Sequence, residues 1–341
     1  MKIAVYSAHD FEIESLQKAN VKKYELVFIK ETLTPKSIHL SKGCNGIAIF
    51  TSDDASANIL YALKDMGISF IVTRSTGFDH IDISVADELE IRVANVPGYS
   101  PNAIAEHAVA MMLALSRKLV LADQQVKEHN FTLDNLIGFN LNGKTVGIIG
   151  TGKIGATAIK ILKGFGCYIL AYDIKEDNQL VEDYDLEYVS LDALFKQSDI
   201  ISIHAPLNKD TAYLINSQSI RLMKDGVMLI NTSRGKIVNT LEVLHALQSG
   251  KIGYFGMDVY ENEKEIFFKN LKDKAFTDEL IKDLMKLPNV LITAHQGFLT
   301  SEALNNIATT TLLNIDCFAN KKVNTNALNK KIGKIVQLEV Y

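Results

Sequence analysis

The sequence has few of the features that mark secreted, membrane-spanning or disulfide-stabilised proteins. Its 341 residues include only three cysteines, Cys44, Cys167 and Cys317, which lie far apart and leave one unmatched in any disulfide scheme. This favours a reducing compartment. The longest uninterrupted apolar run, 108–115, is far shorter than a membrane span of about 20 residues. The first residues turn acidic where a signal peptide would be apolar, so we expect a cytoplasmic protein with no membrane partner.

An excess of basic charge is also missing. The chain has 36 Lys and Arg against 40 Asp and Glu, a net charge of −4, which gives no support to a nucleic-acid partner. No metal-ligand spacing is present, so we predict no metal. A hydrophobic fraction of 47% with 22% charged residues excludes wholesale disorder, and the length is enough for two domains.

Short β-branched runs alternate with longer helical patterns along most of the chain. Five strands are expected in the first hundred residues, at 2–7, 24–29, 46–50, 69–74 and 91–96. A second series contains six strand-like runs, at 144–150, 167–173, 200–206, 227–233, 253–259 and 290–295. This alternation is typical of parallel sheets covered by helices, and it predicts an α/β protein.

A helix that starts at Pro101 separates the two series. It is apolar almost all round through Leu115, which predicts a buried helix, and we expect its polar end at Ser116, Arg117 and Lys118 to reach solvent. The same helix is a candidate interface between subunits.

A glycine-rich turn follows the first strand of the second series. Gly150, Gly152 and Gly155 fit the G-x-G-x-x-G pattern, in which the glycines allow a tight turn, close approach of a pyrophosphate and close helix packing. The next strand ends in Asp173, where a carboxylate accepts hydrogen bonds from the adenosine ribose and disfavours a 2′-phosphate. The pattern predicts NAD binding, and Lys175 would weaken the preference for NAD over NADP. The alternative is a structural turn without a ligand.

Polar groups gather at the carboxyl ends of the predicted strands, where open parallel sheets bind ligands. They are Gly150–Gly155, Asp173, His204–Pro206, Thr232–Gly235, Asp258 and His295–Gln296. We expect them to converge on one cleft.

Two of these residues are candidates for chemistry. The guanidinium of Arg234 can bind a carboxylate through two hydrogen bonds, although a loop arginine in an ion pair would look the same. His295 is the best-placed acid or base among the histidines, and its alternative is a buried structural role. A carboxylate beside His295 would favour the imidazolium and orient the ring, but the residues alone do not choose among Asp258, Glu261 and Glu263.

Several motifs in the correct order resemble the NAD-dependent D-2-hydroxyacid dehydrogenases. They are GTGKIG, NTSRG, GMDVYENE and TAHQGFLTSEAL, preceded by STGFDHID, VPGYSPNAIAEHA and LNGKTVGIIG. The resemblance covers nearly the whole chain. It implies two Rossmann-like or flavodoxin-like parallel-sheet domains with a cleft between them. The substrate domain would be discontinuous, at 1–99 and 296–341, and the NAD-binding Rossmann domain would occupy 100–295.

The resemblance also implies a role for individual residues. The catalytic trio maps onto Arg234, Glu263 and His295. The substrate would contact Thr76, Gly77, Tyr99, Phe50 and Phe298. The cofactor would contact Gly150, Gly152, Lys153, Ile154, Gly155, Asp173, Ala205, Pro206, Thr211, Thr232, Ser233 and Asp258. Close members of the family often have Asn at the position of Thr211, and this departure would weaken one nicotinamide-side contact.

The activity that the resemblance implies is the reversible, NADH-dependent reduction of a small 2-keto acid, pyruvate, to D-lactate, as in the fermentative branch of the family. A homo-oligomer, either a dimer or a tetramer, is expected. Two alternatives remain at this stage. One is the same reaction on a bulkier acid such as phenylpyruvate or hydroxypyruvate, and the other is a non-catalytic NAD-sensing binding protein.

Overall fold

The computed structural model describes residues 1–329, which form two compact units. The first unit comprises Met1–Ser100 and the described chain from Leu299 onward, and the second comprises Pro101–Phe298. The sequence predicted the domain boundaries at 99/100 and 295/296, which are one and three residues earlier than the boundaries in the structure. The substrate role assigned to the discontinuous unit stays a prediction, and its residues 330–341 lie outside the described part of the chain.

The first unit is built on a five-stranded parallel sheet, as the sequence predicted. Its strands are β1 (Lys2–Val5), β2 (Glu25–Phe28), β3 (Gly46–Ile49), β4 (Phe70–Thr73) and β5 (Arg92–Ala94). They lie in the order β2-β1-β3-β4-β5, so the strand order reverses between β1 and β3. The helices between the strands are α1 (Asp10–Asn20), α2 (Ala57–Asp65) and α3 (Ile83–Glu88).

The central strands of this sheet are apolar because they are covered on both faces. Every residue of β3 and β4 is buried. Buried parallel strands read as continuous hydrophobic runs, and each fully buried Ile or Val side chain contributes about 1.5–3 kcal/mol. The carboxyl ends of these strands lead into the loops that carry Phe50, Thr76 and Gly77.

The second unit contains a seven-stranded parallel sheet, whereas the sequence indicated six strands. Its strands are β6 (Thr145–Ile149), β7 (Tyr168–Tyr172), β8 (Glu187–Tyr188), β9 (Ile200–Ile203), β10 (Val227–Asn231), β11 (Ile252–Met257) and β12 (Val290–Ile292). The missed strand is β8, which has only two residues and so shows no periodicity. The order β12-β11-β10-β9-β6-β7-β8 reverses direction at β6, between β9 and β7.

Eight helices cover this sheet or extend from it. They are α4 (Pro101–Ser116), α5 (Leu119–Lys127), α6 (Lys153–Gly164), α7 (Asn178–Tyr184), α8 (Leu191–Gln197), α9 (Ser217–Leu222), α10 (Thr240–Gln248) and α11 (Glu279–Met285). The predicted start of α4 at Pro101 is confirmed. The helix is mostly buried and packs on α6, β10 and β11, because apolar residues lie on nearly all of its sides.

The end of α4 differs from the expectation in one respect. Ser116 is buried rather than solvated, and its carbonyl oxygen accepts a hydrogen bond from Phe139 N at 3.1 Å. Exposure begins at Arg117, and the left-handed φ of +52° at Lys118 separates α4 from α5. The exposed apolar side chains of this region lie beyond α4, at Leu119, Val120, Val126, Phe131, Leu133 and Ile137.

The chain then returns to the first unit through α12 (Ser301–Ala319). The Thr300 hydroxyl caps this helix by accepting the Ala303 N–H at 3.2 Å. Its buried face packs on α1 and β4. None of the helices within residues 1–329 is long and apolar enough to cross a membrane.

Candidate active site

The glycine-rich turn connects β6 to α6 at the point where the strand order reverses. Gly150 has φ +94°, and a Cβ there would lie 2.7 Å from Ala205 N. A Cβ on Gly155 would lie 2.0 Å from the carbonyl oxygen of Gly150, so α6 packs directly on the turn. These two positions therefore require glycine because of the protein's own packing.

Gly152 is different, since a Cβ there would meet no protein atom within 4 Å. Packing inside the protein gives no reason for this glycine, whereas close approach of a pyrophosphate does. Gly152 is also the N-cap of α6, and Lys153 and Ile154 form its first two positions, where helix N–H groups attract phosphate. A second unexplained group is the Thr232 hydroxyl, which is buried without a hydrogen-bond partner in the described chain. Both observations fit a bound dinucleotide.

Asp173 follows β7 and is held by several donors. Its Oδ2 accepts the Thr151 N–H at 2.7 Å and the Thr151 hydroxyl at 3.2 Å, and its Oδ1 accepts the Lys175 N–H at 3.0 Å. The side chain of Lys175 is exposed. These contacts hold the Asp173 carboxylate beside the glycine turn, and its role in binding the ribose stays a prediction.

The loop after β9 lies against the same turn, because Gly150 approaches the backbone of His204 and Ala205. Pro206 is exposed, and its carbonyl oxygen accepts the Thr211 hydroxyl at 2.6 Å. The Ser233 hydroxyl donates to the Ala205 carbonyl and ties the loop after β10 to this loop. The predicted cofactor residues of these two loops therefore lie on connected segments, although Thr211 uses its hydroxyl within its own turn.

His204 takes part in this region as a neutral side chain. Burial lowers the pKa of His204 to about 4, and its Nε2 lies 2.9 Å from the Ser202 hydroxyl. A histidine that is neutral at physiological pH next to the glycine turn would not supply charge to a ligand. Its hydrogen bond to Ser202 is consistent with a structural role.

The acid–base candidates meet at the end of β12. His295 Nδ1 lies 2.9 Å from Glu263 Oε1, and the other oxygen of Glu263 accepts the Tyr260 N–H at 3.0 Å. Both side chains are mostly buried, with 16% and 22% exposed. Of the carboxylates left open by the residues alone, Glu263 is therefore the one that contacts the ring. His295 has a left-handed φ of +56°, and its N–H donates to the Asp258 carbonyl at 2.7 Å.

Asp258 organises the segment that carries His295. Its Oδ1 accepts the Thr293 hydroxyl at 2.6 Å and the Gln296 N–H at 2.8 Å, and its Oδ2 accepts the Gly297 N–H at 2.9 Å. Burial alone would raise the pKa of Asp258, but the hydrogen bond from His107, the charge of His295 and the Thr293 hydroxyl lower it to about 2. The carboxylate is thus a permanent anion that holds the loop in place.

Arg234 and Glu263 lie on two loops whose backbones touch. A Cβ on Gly235 would stand 2.1 Å from the Tyr260 carbonyl carbon and 2.3 Å from Glu261 N, so glycine is required for this contact. The Arg234 guanidinium donates to the Ser233 carbonyl at 2.8 Å. Glu261 is used structurally, since its carboxylate accepts the Thr240 N–H and the Tyr213 hydroxyl, each at 3.1 Å.

The predicted substrate residues fall mainly in the first unit, at strand ends. Phe50 follows β3, and its N–H donates to the fully buried Asp53, whose pKa burial raises. Thr76 and Gly77 follow β4, and no residue in the described part of the chain accepts a hydrogen bond from their N–H groups.

Two predicted substrate residues lie next to the points where the chain passes between units. Tyr99 comes just before α4, and its carbonyl accepts Asn306 Nδ2 at 2.7 Å. Phe298 is the last residue of the second unit and is buried. Its ring centroid lies 6.4 Å from that of His295.

Four residues around these sites were not singled out by the sequence. Thr151 and Tyr188 contact the Asp173 network, and His107 and Thr293 contact Asp258. His107 lies within the apolar helix α4, which favours a structural role over a functional one. Thr151 was visible only as a variable position of the glycine motif, and no spacing marks the other two. Among residues 1–329, no group of three His, Cys, Asp or Glu side chains could hold a metal ion.

The geometry thus defines an α/β dinucleotide-binding protein with a histidine–carboxylate pair at an adjoining strand end. Residues 109–297 match the family model described as "D-isomer specific 2-hydroxyacid dehydrogenase, NAD binding domain". The D-lactate dehydrogenase of Escherichia coli is 43% identical over 316 residues, which are 92% of this chain and 96% of that protein.

Solved structures agree with this match. The pyruvate reductase of Chlamydomonas reinhardtii has a TM-score of 0.88 at 40% identity, and covers 94% of this chain and 97% of its own. The D-lactate dehydrogenase of Aquifex aeolicus, solved with NAD and lactic acid, has a TM-score of 0.86 at 34% identity, with 96% and 98% covered. The chain belongs to the D-isomer specific 2-hydroxyacid dehydrogenase family. It is an NAD-dependent oxidoreductase that acts on 2-hydroxy acids.

Proposed function

We propose that this chain reduces pyruvate to D-lactate and catalyses the reverse oxidation. The observation that carries the proposal is the contact of 2.9 Å between His295 Nδ1 and Glu263 Oε1, on a loop in backbone contact with the loop that carries Arg234. Nδ1 is engaged by the carboxylate, so Nε2 is the nitrogen available for proton transfer to the substrate oxygen. Relatives named D-lactate dehydrogenase or pyruvate reductase support the substrate.

The proposed roles follow from the chemistry of each group. Arg234 binds the carboxylate of the 2-keto acid through its planar fork and polarises the neighbouring carbonyl. His295, as the imidazolium, gives its proton to the carbonyl oxygen as negative charge develops there. Glu263 holds the ring in one orientation and stabilises its positive charge. NADH, when bound, supplies the hydride that reduces the carbonyl carbon.

The proposed cofactor contacts combine helix-terminal N–H groups with one acid. Gly150, Gly152, Gly155, Lys153 and Ile154 would face the pyrophosphate, and Asp173 would accept the ribose hydroxyls. The loops after β9 and β10 would line the nicotinamide half. The unpartnered hydroxyl of Thr232 supports that part of the assignment.

The first unit is proposed as the substrate domain. Its contribution would be the N–H groups of Thr76 and Gly77, which have no acceptor among the described residues and can therefore donate to the substrate carboxylate. Phe50 and Tyr99 would limit the space beside the methyl group of pyruvate. Phe298, whose ring lies near that of His295, is likewise proposed as a substrate contact. Bulky aromatic side chains at these positions favour a small 2-keto acid over phenylpyruvate.

A comparison of substrates tests the proposed function. The expected result is NADH oxidation with pyruvate, with a kcat/KM at least about tenfold higher than for phenylpyruvate or hydroxypyruvate. A higher value for phenylpyruvate would assign the enzyme to a bulkier substrate. Binding of NADH with no turnover of any 2-keto acid would instead indicate a non-catalytic NAD-sensing protein. Chiral analysis of the product distinguishes D-lactate from its enantiomer.

We also propose a homo-oligomer that covers the apolar surface after α4. Phe131, Leu133 and Ile137 are 73%, 79% and 87% exposed, and α5 has no buried residue. A contiguous segment with this many exposed large apolar side chains marks an interaction site in a folded protein. Light scattering on the purified chain should give at least twice the monomer mass, and Phe131→Asp with Ile137→Asp should reduce it. A monomeric unsubstituted chain would exclude the proposal.

A further inference from the structure

A chain of hydrogen bonds with a fixed direction ends at Asp173. The Asp177 N–H donates to the Tyr188 hydroxyl oxygen at 3.1 Å, the Tyr188 hydroxyl donates to Thr151 Oγ1 at 2.9 Å, and the Thr151 hydroxyl donates to Asp173 Oδ2 at 3.2 Å. A backbone N–H can only donate and an ionised carboxylate can only accept. Both hydroxyl protons therefore point toward Asp173, and we call this set the Tyr188–Thr151 relay.

The relay adds to two backbone donors on the same carboxylate. The Thr151 N–H donates to Oδ2 at 2.7 Å, and the Lys175 N–H donates to Oδ1 at 3.0 Å. With donors on both oxygens, rotation of the Asp173 side chain would break hydrogen bonds to an anion, which are stronger than neutral ones. The orientation of this carboxylate is therefore set by the protein before any cofactor arrives.

The position of the relay connects two parts of the NAD site. Thr151 lies between Gly150 and Gly152 in the glycine turn and is 7% exposed. Tyr188 ends β8, where it pairs with Ala171 of the neighbouring strand β7, and Asp173 is the first residue after β7. The short edge strand that the sequence did not reveal thus supplies the hydroxyl that begins the relay.

We infer that Tyr188 and Thr151 are specificity-determining positioning residues that make the site select NAD over NADP. The inference rests on the proposed role of Asp173 in binding the ribose. A carboxylate held in place accepts hydrogen bonds from both ribose hydroxyls. A 2′-phosphate, with a charge of about −2, would lie next to this carboxylate and be repelled by it. A carboxylate that is released can turn away, and the exposed ammonium of Lys175, two residues on, would then favour the phosphate.

The first test measures the dissociation constants of NADH and NADPH from cofactor fluorescence, without substrate, for the unsubstituted chain and for Tyr188→Phe. We expect the dissociation constant of NADH to rise about threefold to tenfold, which corresponds to one lost hydrogen bond in the relay. The constant for NADPH should rise less or fall, so the ratio of the two should shrink. Tyr168→Phe, at the opposite end of β7 and 66% exposed, is the matched control and should leave the ratio unchanged.

Thr151 gives an independent test that does not depend on how Tyr188 packs. Thr151→Val removes the hydroxyl but keeps the backbone donor, and it should reduce the NADH preference as Tyr188→Phe does. Thr151→Ser, which keeps the hydroxyl, should restore it. Because one relay is broken in either case, the double variant should be no worse than the poorer single variant, a non-additivity typical of coupled groups.

An unchanged ratio of the two dissociation constants in both Tyr188→Phe and Thr151→Val overturns the inference, and equal weakening of both cofactors counts as unchanged. Asp173→Asn separates this failure from a failure of the proposed function. If Asp173→Asn alters the ratio and the relay variants do not, only the relay is wrong. If Asp173→Asn also leaves the ratio unchanged, the role of Asp173 is wrong and the inference falls with it.

Discussion

Glu263 holds His295 through one oxygen and its own loop through the other. Oε1 lies 2.9 Å from His295 Nδ1, and Oε2 accepts the Tyr260 N–H at 3.0 Å. The carboxylate is therefore held through both oxygens, and the backbone N–H of His295 is held in turn by the Asp258 carbonyl. A proton donor that is oriented before substrate binds loses little free energy in reaching its reactive geometry.

Replacing His295 with Asn should remove the proton donor and leave the cofactor site intact. Loss of general acid catalysis lowers kcat for pyruvate reduction by about 100-fold to 10,000-fold. The dissociation constant of NADH, measured by fluorescence, should stay within about twofold of the unsubstituted enzyme. His245→Asn, an exposed histidine of α10, is the control. Turnover near the unsubstituted value in His295→Asn would exclude the assigned role.

Glu263→Gln should lower kcat by about tenfold to 100-fold, because a neutral amide no longer stabilises the positive charge of the imidazolium. Steady-state kinetics of pyruvate reduction at saturating NADH measures this change. Glu261→Gln provides a control two residues away, because Glu261 contacts Thr240 and Tyr213 and not the histidine. An equal kcat in the Glu261 and Glu263 variants would contradict the prediction.

Arg234→Lys should act mainly on substrate binding. A lysine keeps the charge but loses the fork that binds both carboxylate oxygens, and KM for pyruvate should rise about tenfold to 100-fold. Steady-state kinetics at saturating NADH measures this, with Arg221→Lys on the exposed end of α9 as the control. If KM stays the same, Arg234 does not bind the substrate carboxylate.

The stabilising contribution of Asp258 should be lost in acid. Its pKa of about 2 lies below the value of about 3.9 for an unfolded chain, so its contribution is complete above about pH 4 and is lost as the pH falls toward 2. That contribution is on the order of 2 kcal/mol at neutral pH. Urea unfolding of the cofactor-free protein should show that Asp258→Asn is destabilising at pH 6 and that the difference narrows near pH 3.

A second carboxylate must be separated from this effect. Asp316 also has a pKa of about 2, because Lys23 and Tyr24 hydrogen-bond to it, so the pH dependence of the unsubstituted protein contains both groups. Only the difference between the unsubstituted protein and Asp258→Asn reports on Asp258. A difference that is constant from pH 6 to pH 3 would show that the stabilisation does not come from its ionised form.

The sequence predicted the parts of the fold that have strong local signals. All five strands of the first sheet and six of the seven in the second sheet were recognisable, because buried parallel strands form short apolar runs. Strand β8 was missed because two residues cannot show a pattern. Ser116 was expected in solvent because it is polar, but its carbonyl is needed by Phe139 N in a buried turn.

For the candidate site, the sequence identified the candidate acid–base residues but not which carboxylate contacts His295. The residues alone left Asp258, Glu261 and Glu263 as possible partners of His295, since all three follow the same strand. The hydrogen bonds separate them: Asp258 organises the backbone of the loop before α12, Glu261 accepts the first N–H of α10, and Glu263 contacts the ring. Which of three carboxylates in one short loop contacts the ring depends on the backbone geometry of that loop, and hydrophobic periodicity does not encode this geometry.

The contact of Gly235 with the backbone of Tyr260 and Glu261 has a consequence for how variants of this protein are interpreted. Any side chain at position 235 would push apart the two loops that carry Arg234 and Glu263. A substitution there would therefore disturb both the carboxylate binding proposed for Arg234 and the proton transfer proposed for His295 and Glu263, although Gly235 has no side chain with which to do either. In a mutational scan, this position would behave as if two active-site residues had been altered together.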